Sequence, residues 1–206
     1  MININDKQEE KEGEQATDAS SLQELLGIED KKEIRTMALF GDVNEEKCLE
    51  IIVGLLSLTE FSQKEPPYEP IKFYISTYGG SADEMFAIYD MVSLIKSKCE
   101  IETIGLGKVM SAGTLLLAAG TKGKRKIGRH CRVMIHAVAA GSHGEFHDME
   151  NEMKSIKHIQ ELYINALARE TNMTKRTIQK LLDRRVNVYL SAEEAVEYGI
   201  ADEIIN

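Results

Sequence analysis

Residues 71–84 of the chain read Ile-Lys-Phe-Tyr-Ile-Ser-Thr-Tyr-Gly-Gly-Ser-Ala-Asp-Glu. The apolar run over residues 71–76 is typical of a strand, and Ser81 with Glu84 has the spacing of a helix-capping box. The two glycines between them let the backbone turn sharply and approach a ligand closely. This stretch therefore predicts a strand, a tight turn and a helix in direct succession.

The same alternation continues on both sides of this stretch. Further strands are predicted at residues 37–40, at residues 101–106 and in a segment that ends at Ile135. Further helices are predicted after Asn44, from near Ser111 to Gly120, over Phe146–Glu170, and from a second capping box at Ser191 and Glu194 to Gly199. The basic run 122–125 is predicted to be a hairpin or a connector. Strands and helices in this order predict an α/β fold with crossover connections and parallel strands.

Charge and composition divide the chain into two parts. The 206 residues are 43% hydrophobic and carry a net charge of −9, which argues against nucleic acid or anionic lipid as the main partner. Residues 1–33 hold ten acidic side chains against four lysines, a charge of −6, which leaves −3 for the rest. We expect residues 1–33 to be a flexible acidic segment and residues 34–206 to be one folded domain.

Cysteine use and hydropathy point to a cytoplasmic protein. Cys48, Cys99 and Cys131 form no CxxC pair, so we expect buried thiols in a reducing compartment. The N-terminus shows no secretory signal, and the longest apolar run, residues 109–119, is too short to span a bilayer.

Ser111 is predicted to stand between a strand and an apolar helix, in Met110-Ser-Ala-Gly113. A serine there is most often an N-cap, but the helix N-terminus also suits an alkoxide nucleophile and an acyl-transfer oxyanion. Val109 occupies the first glycine position of G-x-S-x-G, so an α/β-hydrolase is not supported. His136 ends an apolar strand and is either a structural histidine or the base for Ser111.

Five motifs then occur together in one order: Phe73-Tyr-Ile-Ser-Thr-Tyr-Gly-Gly80, Gly107-Lys-Val-Met-Ser-Ala-Gly113, Ala119-Gly-Thr-Lys-Gly-Lys-Arg125, Arg132-Val-Met-Ile-His136 and Leu190-Ser-Ala-Glu-Glu-Ala-Val-Glu-Tyr-Gly199. In this combination the sequence, over residues 34–206, resembles the proteolytic subunit of the ATP-dependent Clp protease, the ClpP family.

The resemblance implies a function and a set of site residues. Ser111 matches the family nucleophile, His136 the general base, and Gly80 and Ala112 the positions whose backbone N–H groups form the oxyanion hole. It further implies a crotonase-like fold of repeated β-β-α units, in which the Phe146–Glu170 helix is the protruding handle. Members form two stacked heptameric rings, and a separate AAA+ unfoldase feeds unfolded polypeptide into their chamber; no cofactor is implied.

The third triad position departs from the family pattern. Alignment on Leu190-Ser-Ala puts Asn187 where most members carry aspartate, and Asp183 is the competing candidate. An amide oxygen can accept the histidine Nδ1–H, but it brings no negative charge to stabilise the imidazolium.

Several rival functions remain open at this stage. A weakly active or inactive subunit that completes mixed rings and docks partners is the main alternative, while an acyl-CoA enzyme and a viral-type maturation protease are others. His143 and His147 do not form HExxH, so a metal site is not expected. Gly123-Lys124 is not a Walker A loop, since Ala118 and Arg125 occupy defining positions, so we expect no ATPase activity. The acidic segment 1–33 is predicted to be a cleaved propeptide or a modified gate at the axial pore.

Overall fold

A computed structural model describes residues 34–60, 68–141 and 144–205. The predicted acidic segment 1–33 lies outside the described residues. The strands are β1 (Thr36–Phe40), β2 (Ile71–Thr77), β3 (Ile101–Met110), β4 (Lys126–Gly128), β5 (Arg132–Ile135), β6 (Val188–Leu190) and β7 (Glu203–Ile205). The helices are α1 (Glu45–Thr59), α2 (Ala82–Ile95), α3 (Ala112–Ala118), α4 (Phe146–Glu170), α5 (Lys175–Leu182) and α6 (Ala192–Glu197).

The strands form one sheet whose main path is β1-β2-β3-β4-β7, with every pair along it parallel. A branch leaves this path where β5 pairs with β3 in parallel and β6 pairs with β5 antiparallel. The predicted α/β fold with parallel crossovers is thus confirmed, with β6 as an antiparallel exception. The apolar faces of the sheet and helices share one continuous core.

Strand β3 is longer than the sequence predicts, since it continues past Leu106 to Met110. Gly107 adopts φ +65°, and beyond it Lys108 to Met110 pair with Arg132 to Met134 of β5. The extension depends on pairing with a strand more than twenty residues away in the sequence, so no local sequence pattern predicts it. As a result, β3 and β5 run side by side and end at the same edge of the sheet.

Two of the predicted helix caps are confirmed and one is wrong. Asn44 caps α1 through its side chain, and Ser191 with Glu194 forms a complete capping box on α6. Ser81 is the N-cap residue of α2, but its side chain makes no capping bond. The Ser81 backbone N–H, which Glu84 would satisfy in a capping box, instead donates to the Val43 carbonyl at 2.9 Å.

The basic run 122–125 is a turn into β4, and its last residue has a structural role. Arg125 is 4% exposed and donates to the backbone carbonyls of Glu170 at 2.6 Å and Gly199 at 2.8 Å. Its guanidinium also pairs with the carboxylate of Asp202, the Nε to Oδ2 distance being 2.8 Å. Arg125 therefore ties the end of α4 to the C-terminal segment, and needs no nucleic acid to explain it.

Helix α4 has the predicted bounds and changes character along its length. Its first half is mostly exposed and presents Phe146, Met149 and Met153 to solvent, whereas its second half buries Tyr163 and Leu167 against the core. The following helix α5 was not predicted from the sequence. No helix in the described ranges is long and apolar enough to cross a membrane.

Candidate active site

Ser111 occupies the sharp turn between β3 and α3, with φ 54° and ψ −118°. A non-glycine residue with positive φ is strained, and such strain persists where the surroundings hold it in place. The Ser111 N–H donates to the Met134 carbonyl of β5 at 2.8 Å, and the Thr114 N–H donates to the Ser111 carbonyl at 3.0 Å. The Ser111 side chain makes no capping bond, so its hydroxyl is available for another contact.

That contact is with His136, which follows β5 directly. The Nε2 of His136 lies 2.7 Å from the Oγ of Ser111, although the two residues are 25 positions apart in the sequence. The imidazole is half-buried, and this burial lowers the pKa of His136 below its usual range. A neutral imidazole at hydrogen-bond distance from a serine hydroxyl is the arrangement that general-base activation of the serine requires.

The two glycines after β2 bring a second backbone segment against Ser111. Gly79 has φ +106°, and a Cβ added there would lie 2.6 Å from the Cβ of Ser111. Gly80 pairs with Val43 in an isolated bridge, and a Cβ on it would lie 2.1 Å from the Val43 carbonyl oxygen. Both positions therefore exclude a side chain, which explains why glycine occupies residues 79 and 80.

Two residues whose backbone N–H groups have no acceptor among the described residues line the cleft beside Ser111. Ala112 is the first residue of α3, so its N–H has no intrahelical acceptor, and Gly80 precedes α2. Within the described part of the chain neither N–H donates to a protein acceptor. Both residues line a cleft of about 350 Å³ together with Ser111 and His136. The remaining wall is largely apolar and includes Met85, Met134, Val138, Ile159 and Tyr163.

Asn187 is not among the residues that line the cleft. It comes directly before β6, where Val188 pairs with Ile135, so the sheet register brings Asn187 beside His136. The two residues line a common small cavity of about 200 Å³. Asn187 is exposed, and no hydrogen bond joins it to His136 among the residues that the structure describes.

Asp183, the competing candidate, directly follows α5 as its C-cap residue and lines a different cavity. That cavity lies between α4 and α5, and His136 is not part of its wall. The structure thus brings Ser111, His136, Gly80 and Ala112 together around one cleft, places Asn187 next to His136, and leaves Asp183 apart.

One residue of this site was not singled out from the sequence. Tyr163 of α4 fits an apolar helical stripe, so its spacing predicts core packing, yet its hydroxyl donates to the Ser111 carbonyl at 3.1 Å. A tyrosine within an apolar stripe indicates only that the ring is buried, and nothing in the pattern identifies the acceptor of its hydroxyl.

The three cysteines of the chain lie outside the cleft. Cys48, Cys99 and Cys131 are free and buried as expected, and burial raises the pKa of each thiol, that of Cys131 to about 11. In the described ranges no group of three His, Cys, Asp or Glu side chains could hold a metal. The expectation for His143 lies outside those ranges.

Comparison with known proteins agrees with this geometry. The family model for Clp protease matches residues 26–206. The chain is 37% identical over 182 residues to the ATP-dependent Clp protease proteolytic subunit 3 of Synechococcus sp. (strain CC9902), an alignment that covers 88% of this chain and 84% of that protein. The motifs around the cleft, the sheet that joins them and both comparisons lead to one conclusion: the chain belongs to the Clp protease family.

Proposed function

We propose that this protein is a serine endopeptidase that cleaves unfolded polypeptides inside an oligomeric chamber. The observation that carries the proposal is the 2.7 Å contact between the Ser111 Oγ and the His136 Nε2. It occurs on a strained turn in a cleft that Gly80 and Ala112 also line, and the N–H groups of both residues have no protein acceptor in the ranges described, a combination that a purely structural serine would not need.

The proposed reaction proceeds by acyl transfer. The Ser111 Oγ attacks the peptide carbonyl carbon while its proton passes to the His136 Nε2, and the Gly80 and Ala112 N–H groups hold the resulting oxyanion. The C–N bond then breaks as the leaving amine takes the proton from His136, which leaves an acyl ester on Ser111. Water then attacks this ester while His136 takes its proton; the bond between the acyl carbon and the Ser111 Oγ breaks as His136 returns the proton to Oγ, which releases the carboxylic acid product and regenerates Ser111.

Asn187 is proposed as the third member of the triad. Its support is the β5–β6 register, which brings it beside His136, and the separate location of Asp183. The side-chain amide oxygen of Asn187 would accept the Nδ1–H of His136 and so leave Nε2 unprotonated towards Ser111. Asn187 is exposed, and its side chain must move to form this hydrogen bond.

The cleft also favours a class of substrate. Methionines 85 and 134, Val138 and Ile159 provide an apolar wall next to the nucleophile. An apolar side chain on the acyl side of the scissile bond would bury surface there, whereas a charged one would lose hydration without gaining a partner.

The assembly expected for this family places the site inside a chamber. Family membership implies oligomeric rings and a Clp ATPase as partner. We propose two stacked heptameric rings joined through α4, because its first half exposes Phe146, Met149 and Met153, and large apolar side chains on one exposed helix favour an interface. An AAA+ unfoldase would deliver substrate, and residues 1–33 would act as a propeptide or an axial gate. We place this assembly in the cytoplasm.

A second candidate function is a weakly active subunit that completes mixed rings. The observation that favours it is Asn187, because an amide brings no charge to stabilise the His136 imidazolium. In one serine protease the aspartate-to-asparagine change lowered kcat by about four orders of magnitude.

Hydrolysis by the homomeric protein separates the two candidates. The purified chain is incubated with a fluorogenic peptide and with an unfolded protein in the presence of a Clp ATPase and ATP, beside the Ser111→Ala variant. Peptide cleavage that Ser111→Ala abolishes supports the endopeptidase. A homomeric ring without cleavage favours the mixed-ring subunit.

A further inference from the structure

The Ser111 carbonyl is held by two donors from different parts of the fold. One is the Thr114 N–H within α3 at 3.0 Å, and the other is the Tyr163 hydroxyl of α4 at 3.1 Å, from 52 positions along the chain. A carbonyl oxygen has two lone pairs, so both bonds can form together. The Tyr163 hydroxyl therefore joins α4 to the nucleophile turn by a hydrogen bond.

The same carbonyl belongs to the peptide unit that carries the Ala112 N–H. A peptide unit is planar and almost always trans, so its C=O and N–H point in opposite directions. Fixing the Ser111 oxygen on one side consequently fixes the direction of the Ala112 N–H on the other. Both Tyr163 and Ala112 line the cleft.

We propose that Tyr163 is a positioning residue that aims the Ala112 N–H of the oxyanion hole through its hydrogen bond to the Ser111 carbonyl. The inference rests on the proposed function, and it adds a residue that acts on catalysis without touching the substrate carbonyl. Tyr163 is suited to this role because it is 6% exposed. Burial also raises the pKa of Tyr163, so its hydroxyl remains a donor throughout the neutral range.

The expected effect of removing the hydroxyl is on the transition state rather than on substrate binding. Loss of a whole oxyanion-hole donor lowers kcat by about 10²–10³. A poorly directed Ala112 N–H should lower kcat by a smaller factor than its complete loss, because the Thr114 N–H still holds the Ser111 carbonyl. We expect Tyr163→Phe to lower kcat about tenfold with KM nearly unchanged.

A matched variant controls for the loss of a tyrosine hydroxyl in general. Tyr68 also donates its hydroxyl to a backbone carbonyl, that of Thr59 at 2.9 Å, away from the cleft. Tyr68→Phe should therefore leave kcat unchanged. Rates are expressed per active site, counted by stoichiometric fluorophosphonate labelling, so that unfolded or unassembled protein does not affect the comparison.

Two inhibitors give a readout that a merely structural role would not move. The Ser111 Oγ adds to the carbonyl carbon of a peptide aldehyde, and the hemiacetal oxygen that forms lies in the oxyanion hole. The corresponding peptide alcohol has no carbonyl group and forms no such adduct. We expect Tyr163→Phe to raise the inhibition constant of the aldehyde by the same factor by which it lowers kcat/KM. The inhibition constant of the alcohol should be unchanged.

An unchanged kcat in Tyr163→Phe, an equal loss in Tyr68→Phe, or an equal weakening of both inhibitors would overturn the inference while leaving the proposed function intact. Hydrolysis that persists in Ser111→Ala would instead overturn the proposed function itself.

Discussion

The hydroxyl of Ser111 meets the imidazole of His136 because β3 and β5 are parallel neighbours that end at one edge of the sheet. Met110 and Met134 form the last pair of this ladder, so Ser111, one residue beyond Met110, and His136, two residues beyond Met134, leave the sheet at neighbouring positions. The Ser111 N–H bond to the Met134 carbonyl extends the same contact by one step. The pairing of β3 with β5 thus brings together two residues that lie 25 positions apart in the sequence.

Burial of His136 makes a prediction for the pH dependence of the reaction. Only the neutral imidazole can accept the Ser111 proton, and burial lowers the pKa of His136 from its ordinary value of about 6.5. Activity should therefore be retained as the pH falls through 6.5 and be lost only when it falls through the lowered pKa. The measurement is kcat/KM for a small uncharged peptide against pH; an acid limb centred at or above about 6.5 would contradict the prediction.

Substitutions at Asn187 test the third triad position. We expect Asn187→Ala to lower kcat by about tenfold or more, because nothing then fixes the histidine tautomer. Asn187→Asp should preserve or raise kcat, and should move the acid limb to higher pH, since a carboxylate stabilises the imidazolium. Asp183→Ala is the matched control and should have little effect. Loss of activity in Asp183→Ala with none in Asn187→Ala would show that the assignment is wrong.

Gly79 tests the close approach of the backbone to the nucleophile. Gly79→Ala should abolish hydrolysis, because the new Cβ would lie 2.6 Å from the Ser111 Cβ and 3.1 Å from its Oγ. Gly41 provides the control, since its φ of +104° matches the +106° of Gly79 but a Cβ there meets nothing within 4 Å. Gly41→Ala should cost about 1 kcal/mol of stability from backbone strain and keep its activity per active site. Equal activities of the two variants would contradict the steric explanation.

Arg125 and Asp202 make a prediction for stability in acid. Burial alone would raise the pKa of Asp202, but hydrogen bonds and charge attraction from Arg125 outweigh it and hold that pKa below its usual range. The pair therefore stabilises the fold above the ordinary carboxyl pKa of about 4, and this contribution is lost as the pH falls through the lowered value.

We accordingly expect Asp202→Asn to lower the free energy of unfolding by about 2 kcal/mol at neutral pH and by less in acid. Urea unfolding at the two pH values measures the difference, with Asp183→Asn as an exposed control. A loss that is the same in acid and at neutral pH would show that the Asp202 charge is not what Arg125 stabilises.

The apolar wall of the cleft can be tested with two peptides that differ at one residue. We expect leucine on the acyl side of the scissile bond to give at least about tenfold higher kcat/KM than aspartate, because a charge placed against Met134 and Ile159 is desolvated without a partner. Equal rates, or a preference for aspartate, would show that this wall does not receive that side chain.

Local pattern predicted those parts of the fold that local interactions determine. The bounds Phe146–Glu170 of α4 match because its apolar residues repeat at spacings of three and four over many turns. The sequence did not predict the end of β3, because pairing with β5 determines it. The predicted capping box at Ser81 was wrong, because the Ser81 N–H donates to the Val43 carbonyl. In each case a distant segment competes with the local signal.

The candidate site divides in the same way. Ser111, His136, Gly80 and Ala112 were predicted because their motifs resemble those of a known family, and the structure groups them around one cleft. Tyr163 could not be assigned, since a helical stripe shows which face is buried but not where a hydroxyl at its edge will donate. The Tyr163 hydroxyl comes within hydrogen-bond distance of the Ser111 carbonyl only when α4 is packed against this turn.

The most direct test of the account is covalent labelling of the nucleophile. The assembled protein is treated with a fluorophosphonate, sized to establish its oligomeric state, and digested to locate the modified residue by mass spectrometry. We expect modification of the Ser111 side chain in the oligomer, none in the Ser111→Ala variant, and peptide hydrolysis that declines in step with labelling. An assembled oligomer that is not labelled at Ser111, or hydrolysis that continues after complete labelling, would contradict it.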